Sequence, residues 1–323
     1  MTMRTILRWA LTRLLIMAST LFGASLVIFF ALRLMPGGYE SIVLGPLATE
    51  TQRLEAVERW GLDQPVWVQY GQWIAGAIRG DFGVSLVSQV PVLDELALRI
   101  PVTVLLAAMA MAAAVLIGVP LGIVTGLRST SRSGGALGRL AAGFGLSVPE
   151  FVSGPVILFL VSVLASGFGA GGLADSADPV QLFAALLLPA AVLGIGCLAV
   201  TGRTTRDAVM NVLVEPHITA AVARGETTWH IVRHHVLRNS SVPVLTLLGT
   251  ITAYLLGGAV IVESVFNIPG VGSYMVTGLG RQDYAVVQAC VLLAASAFVI
   301  INTALEIAAT FVDPRVSAAR GRS

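Results

Sequence analysis

The sequence predicts an all-α protein that crosses a membrane several times. Of its 323 residues, 56% are hydrophobic and only 12% are charged, and the mean hydropathy is +0.85. Soluble domains carry about 25% charged residues, so a water-soluble core does not account for this composition. A helix needs about 20 apolar residues to cross a bilayer, and such runs predict six spans. They extend from Leu14 to Leu32, Pro101 to Leu127, Leu140 to Ala165, Leu182 to Val200, Val242 to Val262 and Tyr284 to Val312.

The distribution of arginine predicts how these spans are oriented. The N-terminus, the second and fourth connections and the C-terminus together hold fourteen of the twenty basic residues and only four acids. The connections on the other side hold six arginines and eleven acids. Because basic residues accumulate on the cytoplasmic side of membrane proteins, both termini are expected to be cytoplasmic. The first run is preceded by arginines as a secretory signal would be, but its length favours a retained span.

The predicted spans divide the chain into three parts. Residues 1–35 form the cytoplasmic N-terminus and the first span. Residues 36–99 are too polar to lie in lipid and are expected to form an exported helical subdomain. Residues 100–323 contain the other five spans, together with a cytoplasmic loop at about residues 202–241.

Two helices are predicted in the exported part. One runs from Thr49 to Trp60 and stops at Gly61. The other begins at Pro65, a favourable first helical position. Its apolar stripe suits either the lipid headgroup layer, which we favour, or a protein partner. The stripe consists of Val66, Tyr70, Trp73 and Ala77.

A polar segment interrupts the apolar second half of the chain. Residues 215–249 hold all four histidines and three arginines. Gly225 is predicted to separate two short helices, Pro216 to Arg224 and Thr227 to Asn239. Glycine commonly ends a helix and threonine commonly begins one, so Gly225 and Thr227 are expected to be caps.

Each of the two short helices has a surface that suits a partner. Trp229, Val232 and Val236 recur at helical spacing and predict an apolar edge on the second helix. On the first helix, alanines at 220, 221 and 223 predict a slim surface that another backbone can approach. Such a helix pair fits a groove on a partner protein, which we favour, or the surface of anionic lipid.

All twenty basic residues are arginine, so the chain has no lysine. The lysine-containing phosphate-binding loop is therefore absent. No cofactor is expected on this chain, and if transport consumes ATP, the ATP and its magnesium ion must be bound by partner subunits.

Several short motifs are spread over nearly the whole chain. The polar segment contains AAVARG, VRHHVLRN and SVPVLTLLG, and the rest of the chain contains RLMPGG, GLDQPVWVQY, RGDFGVSL, GLSVPEF, GGAVIVESVFNIPGVG, RQDYAVVQ and DPRV. These motifs resemble those of permease subunits of ABC importers, in the dipeptide, oligopeptide and nickel branch, and the polar segment is similar to the cytoplasmic loop of that family, which contains the EAA motif. The resemblance implies the type I importer fold and a place in the bacterial inner membrane.

The resemblance also implies a role for the loop. In the family, this loop supplies a coupling helix that docks into a cleft of the ATP-hydrolysing subunit. The positions expected to carry that coupling here are Ala220, Ala221, Arg224, Gly225, Thr227, Trp229, Val232 and Arg233. The implied partners are a paralogous permease subunit, two nucleotide-binding ATPase subunits or domains, and a periplasmic or lipid-anchored substrate-binding protein. Membrane lipid is expected around the spans, and no nucleic acid.

The expected function is therefore that of a permease subunit that moves dipeptides or oligopeptides into the cytoplasm. The same architecture also suits nickel chelates, haem or glutathione. A different class, a secondary transporter driven by an ion gradient, would need no coupling helix. An intramembrane enzyme is disfavoured because no paired nucleophile and base occur in the spans.

Ionisable residues in or near the spans are candidates for more specific roles. Glu150 and Glu263 are candidates for the substrate pathway, because a carboxylate in a membrane is costly unless it meets water or a partner. The family resemblance makes Glu263 and Glu306 candidates for structural or gating roles. His230 and His234 lie four residues apart and could share a metal ion. We favour a polar docking surface there, and expect no metal.

Overall fold

A computed structural model of the chain describes residues 3–34, 49–59, 63–128, 150–164 and 178–312, and most of these residues are helical. The helices are α1 (Met3–Arg33), α2 (Glu50–Arg59), α3 (Val66–Ile78), α4 (Val92–Ala113), α5 (Val119–Leu127), α6 (Glu150–Leu164), α7 (Pro179–Leu213), α8 (Pro216–Ala223), α9 (Thr228–Ile231), α10 (Leu237–Val265), α11 (Val271–Gly280) and α12 (Tyr284–Val312). This architecture confirms the predicted all-α class.

Four helices among the described residues are long and apolar enough to cross a membrane. They are Leu11–Arg33, Val92–Leu127, Pro179–Leu213 and Tyr284–Leu305. A fifth span is formed if Thr228–Thr252 and Gly257–Val265, which meet at a bend of 51°, are taken together. The third predicted span is described only in part, as α6, since residues 140–149 lie outside the described residues. The count of six spans therefore stays a prediction.

The chain divides into two compact units. The first comprises Met1–Val102 and Pro269–Val299, and the second comprises Thr103–Ile268 and Ile300–Ser323. The units group segments that are distant in sequence. The division into residues 1–35, 36–99 and 100–323 is a separate prediction about which side of the membrane each part occupies, and it stays one.

In the first unit, α3 packs against α1 through aromatic side chains. The ring of Phe29 lies 5.3 Å from that of Tyr70 and 5.6 Å from that of Trp73, measured between centroids. The hydroxyls of Tyr70 and Ser25 are hydrogen bonded at 2.7 Å. Tyr70 and Trp73 belong to the predicted stripe, which thus meets a helix of its own chain. Pro65 takes the N-cap position, one residue before the helix.

The predicted helix of residues 49–60 is present as α2, while Trp60 and Gly61 lie outside the described residues. The remaining core of the first unit is built around the start of α4 and the start of α12. It contains Val92, Leu96, Val286, Ala289 and Cys290. The turn before α12 is held by Asp283, whose carboxylate accepts a hydrogen bond of 2.6 Å from the hydroxyl of Ser85.

In the second unit, glycines let α5 approach α7 closely. A Cβ atom built on Gly122 would lie 2.5 Å from the Cβ of Thr205 and 2.6 Å from the carbonyl oxygen of Gly202. Gly118 and Gly126 are similarly crowded by α7, since an added Cβ would lie 3.1 Å from the oxygen of Leu198 and 2.8 Å from Val209. Gly122 therefore allows a backbone approach that a larger residue does not permit, and Gly118 and Gly126 make the contact on either side of it tight.

Two π turns interrupt the long helices of the second unit. The first, Ala114–Gly118, joins α4 to α5, and the second, Val232–Val236, joins α9 to α10. A π turn holds one residue more than the α turns beside it, and it therefore changes which side chains share a face. The helical path consequently continues from Thr228 to Val265. The prediction that the second loop helix ends at Asn239 is wrong, because the helix continues directly into the fifth predicted span.

Candidate functional site

The polar segment folds around a sharp turn at Gly225. The N–H of Gly225 donates to the carbonyl of Val222 at 2.9 Å, and that of Glu226 donates to the carbonyl of Ala221 at 3.2 Å. Gly225 has a φ of +75°. These bonds and the left-handed glycine form a Schellman motif, which ends α8. The predicted C-terminal cap is thereby confirmed.

The next helix begins two residues later at Thr227. Its side chain accepts a hydrogen bond from the N–H of His230 at 3.4 Å, which confirms the predicted N-cap. Threonine is favoured there because its oxygen satisfies an N–H that has no partner inside the helix. Gly225 and Thr227 together fix the angle at which the chain reverses between α8 and α9.

One side of this turn is buried in an apolar cluster, which we call the loop core. It consists of Val209 and Val212 from α7, Ile218 and Ala221 from α8, Ile231 from α9, and Val236 from the second π turn. Ile123 and Leu127 of α5 pack against it. Burial of apolar side chains contributes about 1.5–3 kcal/mol each. The loop core therefore holds α8 firmly on the helices that precede and follow it.

The other side of the turn is solvent exposed, and we call it the exposed loop surface. It consists of Ala220, Val222, Arg224, Gly225 and Trp229. Trp229 has 70% of its surface exposed. A tryptophan so exposed adds a large apolar area to an otherwise polar segment, as at sites that bind a partner.

The charges of the turn are arranged around Glu226. The guanidinium of Arg224 donates to Oε1 of Glu226 from Nη2 at 2.6 Å and from Nε at 3.0 Å. These hydrogen bonds hold the pKa of the Glu226 carboxyl below its ordinary value, with His235 acting in the same direction and partial burial opposing it. The Glu226 carboxylate is therefore ionised at neutral pH.

Glu263 is the most deeply buried carboxylate among the described residues. It is fully buried near the end of α10, and its Oε1 accepts a hydrogen bond of 2.6 Å from the hydroxyl of Thr103. A buried carboxylate held by a hydroxyl of another helix suits the structural role. Glu150 is the first residue of α6, and Glu306 lies in α12. The side chains of both lie outside what the structure describes.

The family of the chain follows from its sequence. The model of the family described as "Binding-protein-dependent transport system inner membrane component" matches residues 118–318. The chain belongs to this family. The match includes α5, the loop core, the exposed loop surface and the described helices after them.

Two relatives align with the permease over nearly its full length. It is 34% identical over 312 residues to "Probable peptide ABC transporter permease protein y4tP" of Sinorhizobium fredii (strain NBRC 101917 / NGR234), with 95% of this chain and 98% of that protein covered. It is 35% identical over 311 residues to "Glutathione transport system permease protein GsiC" of Escherichia coli (strain K12), with 96% and 99% covered.

Family membership settles the broad class of the permease. It is an inner-membrane component of an ABC importer, in the predicted branch, and it works in a complex with ATPase and substrate-binding partners. This confirms the predicted localisation and transporter class. The alternative of a secondary transporter driven by an ion gradient is contradicted.

The structure brings the eight predicted coupling residues to one turn but exposes only some of them. Arg233 and Thr227 are exposed together with the loop surface, whereas Ala221 and Val232 are buried. The slim alanine surface predicted on α8 is thus wrong for Ala221, and the predicted apolar edge is wrong for Val232 and Val236. Val232 and Val236 lie on the buried face that also includes Ile231, and Trp229 lies outside that face. The coupling role of the eight residues stays a prediction.

Two residues of the turn were not singled out from the sequence. The sequence predicts no specific role for Glu226 or His235. Nothing in the sequence pattern alone reveals the π turn that places His235 beside Glu226.

Proposed function

We propose that the permease moves peptides into the cytoplasm and that the exposed loop surface is where a partner ATPase subunit docks. The observation that carries this proposal is that the turn at Gly225 has one exposed side and one buried side. Its exposed side presents Trp229 and Val222, and its buried side is the loop core. A force applied to the outside of the turn would therefore reach the helices packed beneath it.

The path of that force is set by helix continuity. The loop core joins Val209 and Val212 at the end of α7 to Val236, the last residue of the second π turn, which leads into α10. Because α7 and α10 are long apolar helices, a displacement of α8 would move the ends of both. In the proposed cycle, ATP and magnesium bind in two partner ATPase subunits, whose closure pushes on the turn and alters access to the pathway. Two permease subunits, this one and a paralogue, would enclose that pathway.

The peptide substrate is supported by the relatives, whose printed names refer to peptide and glutathione transport. Glutathione is a tripeptide, so one substrate class covers both names. A substrate-binding protein on the exported side would deliver the peptide. Nickel chelates and haem remain alternatives drawn from the family resemblance alone.

The docking proposal is tested by Trp229→Asp in the assembled transporter. Loss of a buried tryptophan at an interface costs about 2 kcal/mol or more, so ATPase association should weaken at least roughly 30-fold. The measurement is co-purification of the ATPase subunit, together with ATP hydrolysis stimulated by the binding protein.

The matched control is Trp67→Asp, because Trp67 of α3 is similarly exposed, at 74%. This variant should assemble with the ATPase like the wild type. Wild-type assembly and coupled hydrolysis in Trp229→Asp would refute docking at this surface. For the substrate, reconstituted transporter should accumulate a labelled dipeptide or glutathione in vesicles when ATP is supplied, and uptake of neither would refute the peptide assignment.

A further inference from the structure

Three side chains capable of binding a metal ion converge beside the Gly225 turn. Oε2 of Glu226 lies 3.1 Å from Nε2 of His235 and 3.9 Å from Nε2 of His230. One ligand atom from each of the three residues lies within 4.8 Å of the other two. Two imidazole nitrogens and one carboxylate oxygen at this spacing need only small side-chain adjustments to meet at one ion.

The second π turn creates this arrangement. His230 and His235 are five residues apart, and in a regular α-helix residues three or four apart share a face, whereas residues five apart do not. A π turn closes hydrogen bonds from i to i+5, and it thereby returns His235 to the side of His230. The pair considered from the sequence, His230 with His234, has stacked rings with centroids 4.2 Å apart.

Separate contacts position each ligand. Glu226 is fixed by the Schellman motif through its N–H, and His230 by its N–H bond to the Thr227 side chain. Arg224 binds only Oε1 of Glu226, so Oε2 is the oxygen that faces the imidazoles.

The cluster is also accessible from solvent. The side chain of His230 is 52% exposed and that of His235 is 28% exposed. An ion could therefore enter without unfolding of the loop, and water could complete its coordination.

We propose that Glu226, His230 and His235 form a binding site for a divalent transition-metal ion of the zinc type. Zinc accepts two histidines and one carboxylate, with water in the fourth position of a tetrahedron. Imidazole nitrogen with carboxylate suits zinc, nickel or copper(II) rather than calcium or magnesium, which prefer oxygen ligands. The bound ion would connect the turn that ends α8 to the helix that continues into α10, and would thereby stiffen the loop.

The test is zinc binding to the full-length chain in lipid nanodiscs, after treatment with a chelator and with an affinity tag that contains no histidine. The wild type should bind one zinc ion per chain, and cobalt(II) in its place should show the visible absorption of a tetrahedral site. Loss of a residue that merely supports a metal ligand lowers affinity about 10- to 100-fold, so His235→Gln and Glu226→Gln should each lower it by at least that much.

His234→Gln is the matched control, because His234 adjoins both ligand histidines but is not one of the three. Its zinc affinity should stay within about threefold of the wild type, a change small beside the loss of a ligand. Binding lost in His234→Gln but kept in His235→Gln would overturn the proposal in favour of the pair four residues apart. Absence of zinc binding by the wild type would overturn it without any variant. Both outcomes are independent of ATPase assembly, so the docking proposal is tested separately.

Discussion

The two π turns have the same pattern of burial but opposite chemistry. In the first, Ala114 and Gly118 are buried, and the three residues between them are at least partly exposed. In the second, Val232 and Val236 are buried, and the three residues between them are again at least partly exposed. These partly or fully exposed residues are Val115, Leu116 and Ile117 in the first turn and Arg233, His234 and His235 in the second. The same backbone feature, a π turn, therefore presents three apolar side chains in one place and one arginine and two histidines in the other.

This difference shows that the exposed residues of each turn match the surroundings of that turn. An apolar triplet in a span suits lipid or a neighbouring subunit, whereas arginine and histidines suit contact with water. The buried residues also differ in size. Gly118 permits close packing of α5 on α7, while Val232 and Val236 fill the interior beneath the Gly225 turn.

The largest effect is expected from deleting single residues. Such deletions test whether the first π turn accommodates one extra residue. Deletion of Leu116 should convert the turn to regular α-helix and leave the flanking faces in place. We expect the protein to remain folded and to unfold within a few degrees of the wild type. Deletion of Ile195, an exposed residue within the regular helix α7, should rotate the two parts of that helix by about 100° relative to each other and abolish folding.

The measurement is the yield of monodisperse protein in detergent and its thermal unfolding. Leu116 and Ile195 are both exposed, at 72% and 44%, so neither deletion removes a core side chain. Equal loss of folded protein for the two deletions would contradict the role given to the π turn.

The sequence predicted most of the helices because their signals are local. Runs of apolar residues gave the spans, as for Tyr284 to Val312, which coincides with α12. Gly225 and Thr227 were identified as caps because their residue types satisfy specific backbone groups at helix ends.

The errors arise where a feature depends on tertiary packing. A π turn has no distinctive composition, so the approach of His235 to Glu226 could not be derived from helical spacing. The stripe on α3 likewise predicted an amphipathic surface correctly, but its periodicity does not tell whether Tyr70 faces lipid, a partner or α1.

A second prediction concerns the close packing that follows the first π turn. Gly122→Ala places a Cβ within 2.6 Å of the Gly202 carbonyl oxygen, a backbone atom that cannot move independently. We expect a loss of about 3 kcal/mol of stability from this overpacking. Gly23→Ala in α1 is the control, because nothing lies within 4 Å of the added atom. Thermal unfolding in detergent should show a large decrease for the first variant only, and similar curves would contradict the inferred glycine contact.

The smallest effect is expected at α8, where two adjacent alanines lie on opposite sides of the Gly225 turn. Ala221 is fully buried in the loop core, whereas Ala220 is exposed. Ala221→Leu should cost about 1–3 kcal/mol through overpacking. Ala220→Leu should leave the unfolding temperature almost unchanged.

The order of the two variants should reverse when ATPase assembly is measured, with Ala220→Leu having the larger effect. Ala220→Leu adds bulk to the exposed loop surface, so a folded permease should bind its ATPase less well if docking requires a slim helix. Ala221→Leu should affect assembly only as far as it lowers stability. Thermal unfolding and ATPase co-purification, measured on both variants, separate packing from docking. Normal assembly of Ala220→Leu would restrict the docking contact to Trp229 and its neighbours and exclude Ala220 from it.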